Sequence, residues 1–246
     1  MITQGCYTIA ENRLIAERTY LMSLAGDTGA LTRCGQFVNI KLDGFFLRRP
    51  ISVCDWREGE LTLIYKTVGD GTRQLSKMRA GESLSLLCGL GNGFDTAPAA
   101  NRTAAVVGGG VGVPPLYALA KRLVAEGGSP YVVLGFNTAS QAFFIDEFKA
   151  LGLPVAVTTA DGSLGIKGFV TDALRDVCFD YYFACGPMPM LRAVHACGKS
   201  GQLSFEERMG CGFGACMGCS CQTLAGNKRI CVDGPVMLSG EVRFDG

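Results

Sequence analysis

The sequence predicts a multidomain fold of the β plus α/β class, with an N-terminal antiparallel β-barrel, a central parallel sheet and a small C-terminal cysteine-rich domain. Three observations lead to this prediction. Short apolar runs alternate with glycine turns over the first hundred residues, alternating strand and helix patterns follow, and cysteines cluster near the C-terminus. The predicted domains are residues 1–97, 98–204 and 205–246.

The composition is that of a globular chain, and it excludes several classes of function. The 246 residues are 48% hydrophobic and carry a formal net charge of +1 without any run of Lys or Arg, so nucleic acid and anionic membranes are not expected partners. No stretch is long enough to span a membrane, and the first residues do not form a signal peptide. With twelve cysteines and no export signal, we expect reduced thiols in the cytoplasm.

The first domain is predicted to be a small antiparallel barrel. The runs QFVNI at 36–40 and LTLIY at 61–65 have the length and composition of short strands. A polar linker centred on Pro98 then marks the boundary between the first and second domains. Six cysteines outside the C-terminal cluster lie among apolar residues and are expected to be buried: Cys6, Cys34, Cys54, Cys88, Cys178 and Cys197.

The second domain begins with a pattern typical of a dinucleotide-binding turn. A buried-strand run at 103–107 leads into the glycine-rich segment 108–115, and helical spacing follows from Leu116 to Glu126. This layout places a pyrophosphate on backbone N–H groups at the start of a helix, as in Rossmann-like domains. Val113 replaces the last glycine of the strict motif, and a turn that serves only helix packing remains an alternative.

Two later predicted strands support the prediction of a dinucleotide-binding site. The runs at 131–135 and 181–186 each end in glycine, and the carboxyl ends of such strands are where open α/β sheets bind ligands. The turn Cys185-Gly186-Pro187 then leads into a helix. The sequence therefore predicts a crevice suited to a dinucleotide.

The third domain carries four cysteines with the spacing of an iron–sulfur site. Cys211, Cys216 and Cys219 form the pattern CxxxxCxxC, and Cys231 follows after eleven residues. This order is typical of a plant-type [2Fe–2S] centre. Zinc and disulfides remain alternatives, although zinc usually takes two CxxC pairs or mixed Cys and His ligands. Cys221 is a neighbour of the site or a spare ligand.

Several motifs in one order resemble the ferredoxin-NADP reductase superfamily. They are Arg49-Pro50-Ile51-Ser52, Gly71-Thr72, the turn GGVGVPPL at 109–116 and Cys185-Gly186-Pro187. With the cysteines added, the chain resembles the electron-transfer subunits of the two-subunit dihydroorotate dehydrogenase, the PyrK family, almost from end to end. The resemblance implies an FAD-binding barrel, a Rossmann-like NAD domain and a [2Fe–2S] domain.

The resemblance also implies site residues. Arg49 would pair with the FAD diphosphate, a role that suits the planar fork of a guanidinium. The other implied FAD residues are Pro50, Ile51, Ser52, Ile64, Tyr65, Lys66, Gly71 and Thr72. The implied NAD residues are Gly109, Gly110, Gly112, Cys185, Gly186 and Pro187. The implied cluster ligands are Cys211, Cys216, Cys219 and Cys231.

The choice between NAD and NADP rests on fewer residues. Asp161 would contact the adenosine ribose or would only form a turn. No arginine is obviously placed for a 2′-phosphate, which favours NAD, while Lys167 and Arg192 stay open as phosphate ligands. The single histidine, His195, is expected to be structural, and no catalytic side-chain set is expected.

The function that the resemblance implies is electron transfer in pyrimidine biosynthesis. The chain would carry electrons from the FMN of a separate catalytic subunit, through [2Fe–2S] and FAD, to NAD⁺ within a cytoplasmic heterotetramer of two plus two subunits. Phe213 and Met217 are predicted to lie on the exposed rim that docks this partner. Two alternatives remain: a related reductase subunit that serves a ferredoxin, a sulfur-compound reductase or a hydrogenase, and a non-catalytic iron–sulfur redox sensor.

Overall fold

A computed structural model describes residues 1–244, and within them six strands close into an antiparallel barrel. The strands are β1 (Thr3–Ala16), β2 (Thr19–Ala25), β3 (Phe37–Lys41), β4 (Arg49–Arg57), β5 (Glu60–Lys66) and β6 (Ser83–Leu90). Their order around the barrel is β1-β2-β5-β4-β3-β6, and the short helix α1 (Asp70–Leu75) lies between β5 and β6. Alternate residues fill the interior, such as Leu61, Leu63 and Tyr65 on β5. The predicted barrel is confirmed.

Besides the barrel, the described residues form a sheet of seven strands. The remaining strands of the chain are β7 (Ala104–Gly109), β8 (Tyr131–Phe136), β9 (Val155–Thr159), β10 (Ile166–Lys167), β11 (Tyr181–Cys185), β12 (Ser200–Ser204), β13 (Ser220–Thr223), β14 (Gly226–Arg229) and β15 (Val236–Leu238). The helices are α2 (Pro114–Ala125), α3 (Ile145–Ala150), α4 (Val170–Leu174) and α5 (Met188–His195). The sheet order is β10-β9-β8-β7-β11-β12-β15, parallel as far as β12.

The strand order reverses between β7 and β11, and this reversal is the point where open α/β sheets bind ligands. From β7 the chain continues to β8 on one side and comes back to β11 on the other. Strand β7 extends through Gly109, so the connecting turn is only Gly110–Gly112, in a 3₁₀ conformation. Helix α2 starts at Pro114, two residues before the predicted start, because proline is well tolerated in a first helical turn.

The C-terminal segment, residues 205–244, packs onto the sheet. Strand β15 pairs antiparallel with β12, and the hairpin of β13 and β14 lies between them in the chain. Buried Cys219, Ile230 and Cys231 share one apolar cluster with residues of the barrel and of the sheet. The predicted boundary at 204/205 therefore separates strands that belong to a single sheet.

Three of the six cysteines expected in the core are on the surface. Cys34, Cys54 and Cys88 are buried, as predicted, but Cys6, Cys178 and Cys197 are exposed. Alternation along β1 places Cys6 on the outer face of the barrel, since its neighbour Tyr7 points inward. The other two lie just beyond the ends of α4 and α5. Within residues 1–244, no helix is long and apolar enough to cross a membrane.

Candidate functional site

A cavity of about 340 Å³ lies where the barrel, the sheet and the C-terminal segment meet. Most of the residues predicted for FAD line it: Arg49, Pro50, Ile51, Ser52, Ile64, Tyr65, Lys66 and Thr72. Val111 and Cys185, from the two loops at the reversal of the strand order, form another part of its wall. Residues from two domains, predicted separately, therefore share one cavity.

Arg49, the residue predicted to pair with the FAD diphosphate, lines this cavity. Its guanidinium stacks over the Phe45 ring, 4.5 Å from the centroid, and donates to the Leu47 carbonyl at 2.6 Å. A Cβ on Gly71 would lie 2.3 Å from Arg49 Nε. The absence of a side chain at Gly71 therefore leaves the space that the guanidinium occupies, and the planar fork suits a diphosphate.

Two other predicted FAD residues use their hydroxyl groups within the protein. The Thr72 hydroxyl donates to the Gly69 carbonyl and accepts from the N–H groups of Val68 and Gly69. The Tyr65 hydroxyl donates to Asn12 Oδ1 at 2.9 Å, and burial raises the Tyr65 pKa. In this arrangement both hydroxyl groups bond within the protein, and FAD binding by Tyr65 and Thr72 stays a prediction.

The predicted nicotinamide residues come together where the strand order reverses. A Cβ on Gly112 would lie only 2.2 Å from the Cys185 carbonyl oxygen, and one on Gly186 would lie 3.1 Å from Gly109 N. Backbone therefore touches backbone, a contact that requires glycine. Pro114 and Pro115 lack N–H groups, so the first turn of α2 offers fewer donors to a phosphate than the pattern alone indicates.

Cys185 is fully buried at the cavity wall and stays protonated. Burial, and secondly the negative charge of Glu206, raise the pKa of this thiol to about 12. Glu206 itself opens onto the cavity, while surrounding protein raises the pKa of its carboxyl. A neutral thiol is a poor nucleophile, so Cys185 is expected to pack beside a ligand rather than to react with it.

The segment between β12 and the cysteine cluster also lines the cavity, which the sequence analysis missed. Phe205, Glu206, Glu207 and Met209 all line it, together with Ser204 at the end of β12. Their position in the chain was the available signal: a segment that joins the sheet to Cys211 has to pass the sheet's carboxyl edge.

The four cysteines predicted as cluster ligands form two pairs in the described structure. The N–H of Cys216 donates to Cys211 Sγ, and the N–H of Cys211 donates to Cys216 Sγ, both at 3.4 Å. In the other pair, the N–H of Cys231 donates to Cys219 Sγ at 3.4 Å. No three His, Cys, Asp or Glu side chains within residues 1–244 are grouped as ligands of a single metal ion. Two pairs of thiols fit a binuclear cluster, in which each iron takes two thiolates.

Backbone amides favour the thiolate form at Cys211. Burial raises its pKa, but N–H groups of Phe213, Cys216 and Ala215 lower it, with a net value of about 6. Amides directed at sulfur also tune bound iron–sulfur clusters. The donor set therefore fits a [2Fe–2S] group. Cys221 on β13 belongs to neither pair, and burial followed by the charge of Glu207 raises its pKa.

The residues considered for the adenosine end are placed as follows. Asp161, beyond the carboxyl end of β9, accepts bonds from Ser163 N at 3.0 Å and from Ser163 Oγ at 2.6 Å, so it holds a turn. The Lys167 side chain, on β10, packs beside Gly162 of this loop. Arg192 stacks toward Phe244 at 6.0 Å, and the His195 ring lies 5.1 Å from the same phenylalanine. A structural role for His195 agrees with this packing.

Comparison with known proteins identifies relatives of nearly the whole chain. Residues 206–243 match the model of the iron–sulfur cluster binding domain of dihydroorotate dehydrogenase B. The chain is 43% identical to the dihydroorotate dehydrogenase B (NAD(+)) electron transfer subunit of Fusobacterium nucleatum, over 97% of this chain and 98% of that protein. It is 45% identical to the protein of the same name from Bacillus caldolyticus, with 98% and 99% covered.

Solved structures share the fold. A chain from the NADH-dependent reduced ferredoxin-NADP oxidoreductase superposes with a TM-score of 0.86 and 31% identity, over 98% of this chain and 91% of that chain. The cytochrome P450 reductase GcoB from Amycolatopsis gives a TM-score of 0.69 at 22% identity, over 79% and 65%, which shows the fold alone.

We predict that Arg49→Met weakens FAD binding by about 10- to 100-fold. A charge-assisted hydrogen bond contributes about 1.5–3 kcal/mol, and each 1.4 kcal/mol is about tenfold in affinity. Equilibrium dialysis with FAD measures the change. The control is Arg79→Met, since Arg79 is exposed and outside the cavity. Equal FAD affinity of both variants would contradict the assignment of Arg49.

We predict that Gly112→Ala slows reduction of the bound flavin by NADH by about 100-fold, because the new Cβ forces the loops apart and a displacement of about 1 Å can have that effect. Stopped-flow absorbance measures the rate, and flavin content should not change. Gly240→Ala is the control, since a Cβ there has open space. A wild-type rate in Gly112→Ala would place the nicotinamide elsewhere.

Proposed function

The chain belongs to the family of dihydroorotate dehydrogenase B (NAD(+)) electron transfer subunits, and from this membership we propose that it carries electrons from a dihydroorotate-oxidising catalytic subunit to NAD⁺ in pyrimidine biosynthesis. It is an NAD-linked flavin and iron–sulfur oxidoreductase subunit of reductase fold. The proposed assembly is a cytoplasmic heterotetramer of two plus two subunits.

One observation carries this proposal: the cavity lined by most of the predicted FAD residues is also lined by the predicted NAD residue Cys185 and by a residue close to the predicted cluster ligands. The FAD residues of β4 and β5 form one wall, and Val111 with Cys185 forms another. Met209, only two residues before the proposed ligand Cys211, reaches the same space. This arrangement supports a route for electrons between the proposed nicotinamide, flavin and cluster sites within one chain.

FAD and a [2Fe–2S] cluster, when bound, supply the conversion between two-electron and one-electron transfer. The protein's part is to hold and shield them. Arg49 would bind the diphosphate, Pro50 and Ile51 line the cavity, and buried Cys185 would pack against the nicotinamide. The four proposed ligands are Cys211, Cys216, Cys219 and Cys231.

A second candidate is a related reductase subunit that serves a ferredoxin. The observation that favours it is the superposition, with a TM-score of 0.86, on the chain from the ferredoxin-NADP oxidoreductase. The higher identity to the dihydroorotate dehydrogenase subunits, 43–45% against 31%, makes the first function the better supported one.

The test is reconstitution with an FMN-containing dihydroorotate dehydrogenase catalytic subunit. We expect dihydroorotate to drive NADH formation when both subunits are present, and neither subunit to do so alone. NADH absorbance gives the rate. If the pair is inactive with dihydroorotate while the chain passes NADH electrons to a ferredoxin, the second candidate replaces the first.

We predict that Phe213→Asp weakens binding of the catalytic subunit by at least about tenfold. Phe213 and Met217 are 49% and 56% exposed beside the proposed cluster, and a buried charge at the centre of an interface is costly. Titration calorimetry measures the affinity, and cluster absorbance should not change. Leu224→Asp is the control, an exposed apolar position in the β13–β14 turn. Unchanged affinity with an intact cluster would exclude this docking surface.

A further inference from the structure

Asn39 is a buried polar residue on the face of the barrel that meets the C-terminal segment. Along β3, Val38 and Ile40 point into the barrel core, so Phe37 and Asn39 point outward. Phe37 belongs to the apolar cluster that includes Cys219 and Cys231. Asn39 is only 1% exposed, although a free barrel surface would leave such a residue in water.

The Asn39 side chain contacts the first proposed cluster ligand directly. Its Nδ2 donates to the Cys211 carbonyl oxygen at 3.0 Å, across 172 positions of sequence. The next residue, Gly212, has φ +80°, and a Cβ on it would lie 2.5 Å from Asn39 Nδ2. The backbone at Gly212 therefore packs directly against the Asn39 side-chain amide, and a side chain at position 212 would collide with it.

The backbone of Asn39 is fixed against the flavin side of the barrel. Asn39 lies opposite Pro50 in the pairing of β3 with β4, and proline has no N–H to donate. Arg48, the residue before β4, donates from Nη1 to the Asn39 carbonyl at 3.3 Å and to Ser85 O at 3.2 Å. One residue thus joins the segment predicted to bind FAD to the loop predicted to bind the cluster.

Barrel stability alone does not account for this asparagine. Its Oδ1 is also buried and has no hydrogen-bond partner among residues 1–244. An unpaired buried acceptor is unfavourable, and an apolar residue of similar volume would avoid it. An apolar residue at this position would, however, lose the hydrogen bond that Asn39 Nδ2 donates to the Cys211 carbonyl.

We propose that Asn39 is a positioning residue: its side-chain hydrogen bond fixes the backbone of Cys211 relative to β4, the strand predicted to bind FAD. This inference rests on the proposed function, since it takes Cys211 as a ligand. Outer contacts of this kind hold first ligands in place, and their loss typically changes metal retention or activity by about 10- to 100-fold.

The first experiment compares Asn39→Leu with Gln36→Leu in the purified, cofactor-loaded chain. Gln36 is another buried barrel amide, but its side chain bonds to Thr32, Arg33 and Gly91. We expect Asn39→Leu to lose iron to a chelator at least about tenfold faster. The EPR g-values of the dithionite-reduced cluster should also shift, with FAD content unchanged. Gln36→Leu should keep the wild-type rate and spectrum.

The second experiment is a mutant cycle between Asn39 and Gly212. Gly212→Ala alone directs a Cβ at the amide and should perturb the EPR spectrum and speed iron loss. Asn39→Ala makes space for that Cβ, so the double variant should lose iron more slowly than the two single effects combined predict. Additive effects would contradict the contact, and the cycle also serves if Asn39→Leu does not fold.

The outcomes separate this inference from the proposed function. If Cys211→Ser keeps a wild-type cluster, Cys211 is not a ligand and the positioning role of Asn39 fails with it, while the reconstitution with a catalytic subunit tests the proposed function separately. If Cys211→Ser loses the cluster while the Asn39 variants keep wild-type g-values and iron retention, only the positioning role of Asn39 is overturned.

Discussion

The packing of the segment from Ser204 to Cys211 between barrel and sheet sets how close the three sites can be. Met209 reaches the cavity and Cys211 follows two residues later. Because an extended chain spans at most about 3.3–3.6 Å per residue, the backbone of Cys211 lies within roughly 7 Å of that of Met209. Covalent connection thus keeps the proposed cluster next to the cavity.

The barrel holds the C-terminal segment through two asparagines. Asn39 donates a hydrogen bond to the Cys211 carbonyl. Asn92 lies near the other end of the segment with the predicted cluster ligands, where it hydrogen-bonds to backbone groups of Asp233, Gly234 and Val236. Strand β15 adds a third attachment through its pairing with β12. The segment that carries the predicted cluster ligands is therefore held by its neighbours, and Phe213 and Met217 on it are exposed.

Local patterns were enough to predict the elements, but not their long-range contacts. Apolar alternation predicted the barrel, and glycine at strand ends predicted the loops now seen to touch at Gly112 and Cys185. Cysteine spacing predicted the cluster region, and a family model matches it. Neither the pairing of β15 with β12 nor the Asn39 contact across 172 positions leaves a local signal. Surface thiols such as Cys6 were misassigned because composition does not show which face of a strand is buried.

The central claim is that one chain connects a nicotinamide site to an iron–sulfur cluster through a shared flavin cavity. An anaerobic titration of the purified chain with NADH, with the flavin and iron–sulfur absorbance bands recorded together, tests it most directly. The account predicts that both bands bleach. A flavin-containing chain whose spectrum NADH leaves unchanged would contradict the nicotinamide assignment, and bleaching of the flavin alone would contradict the connection to the cluster.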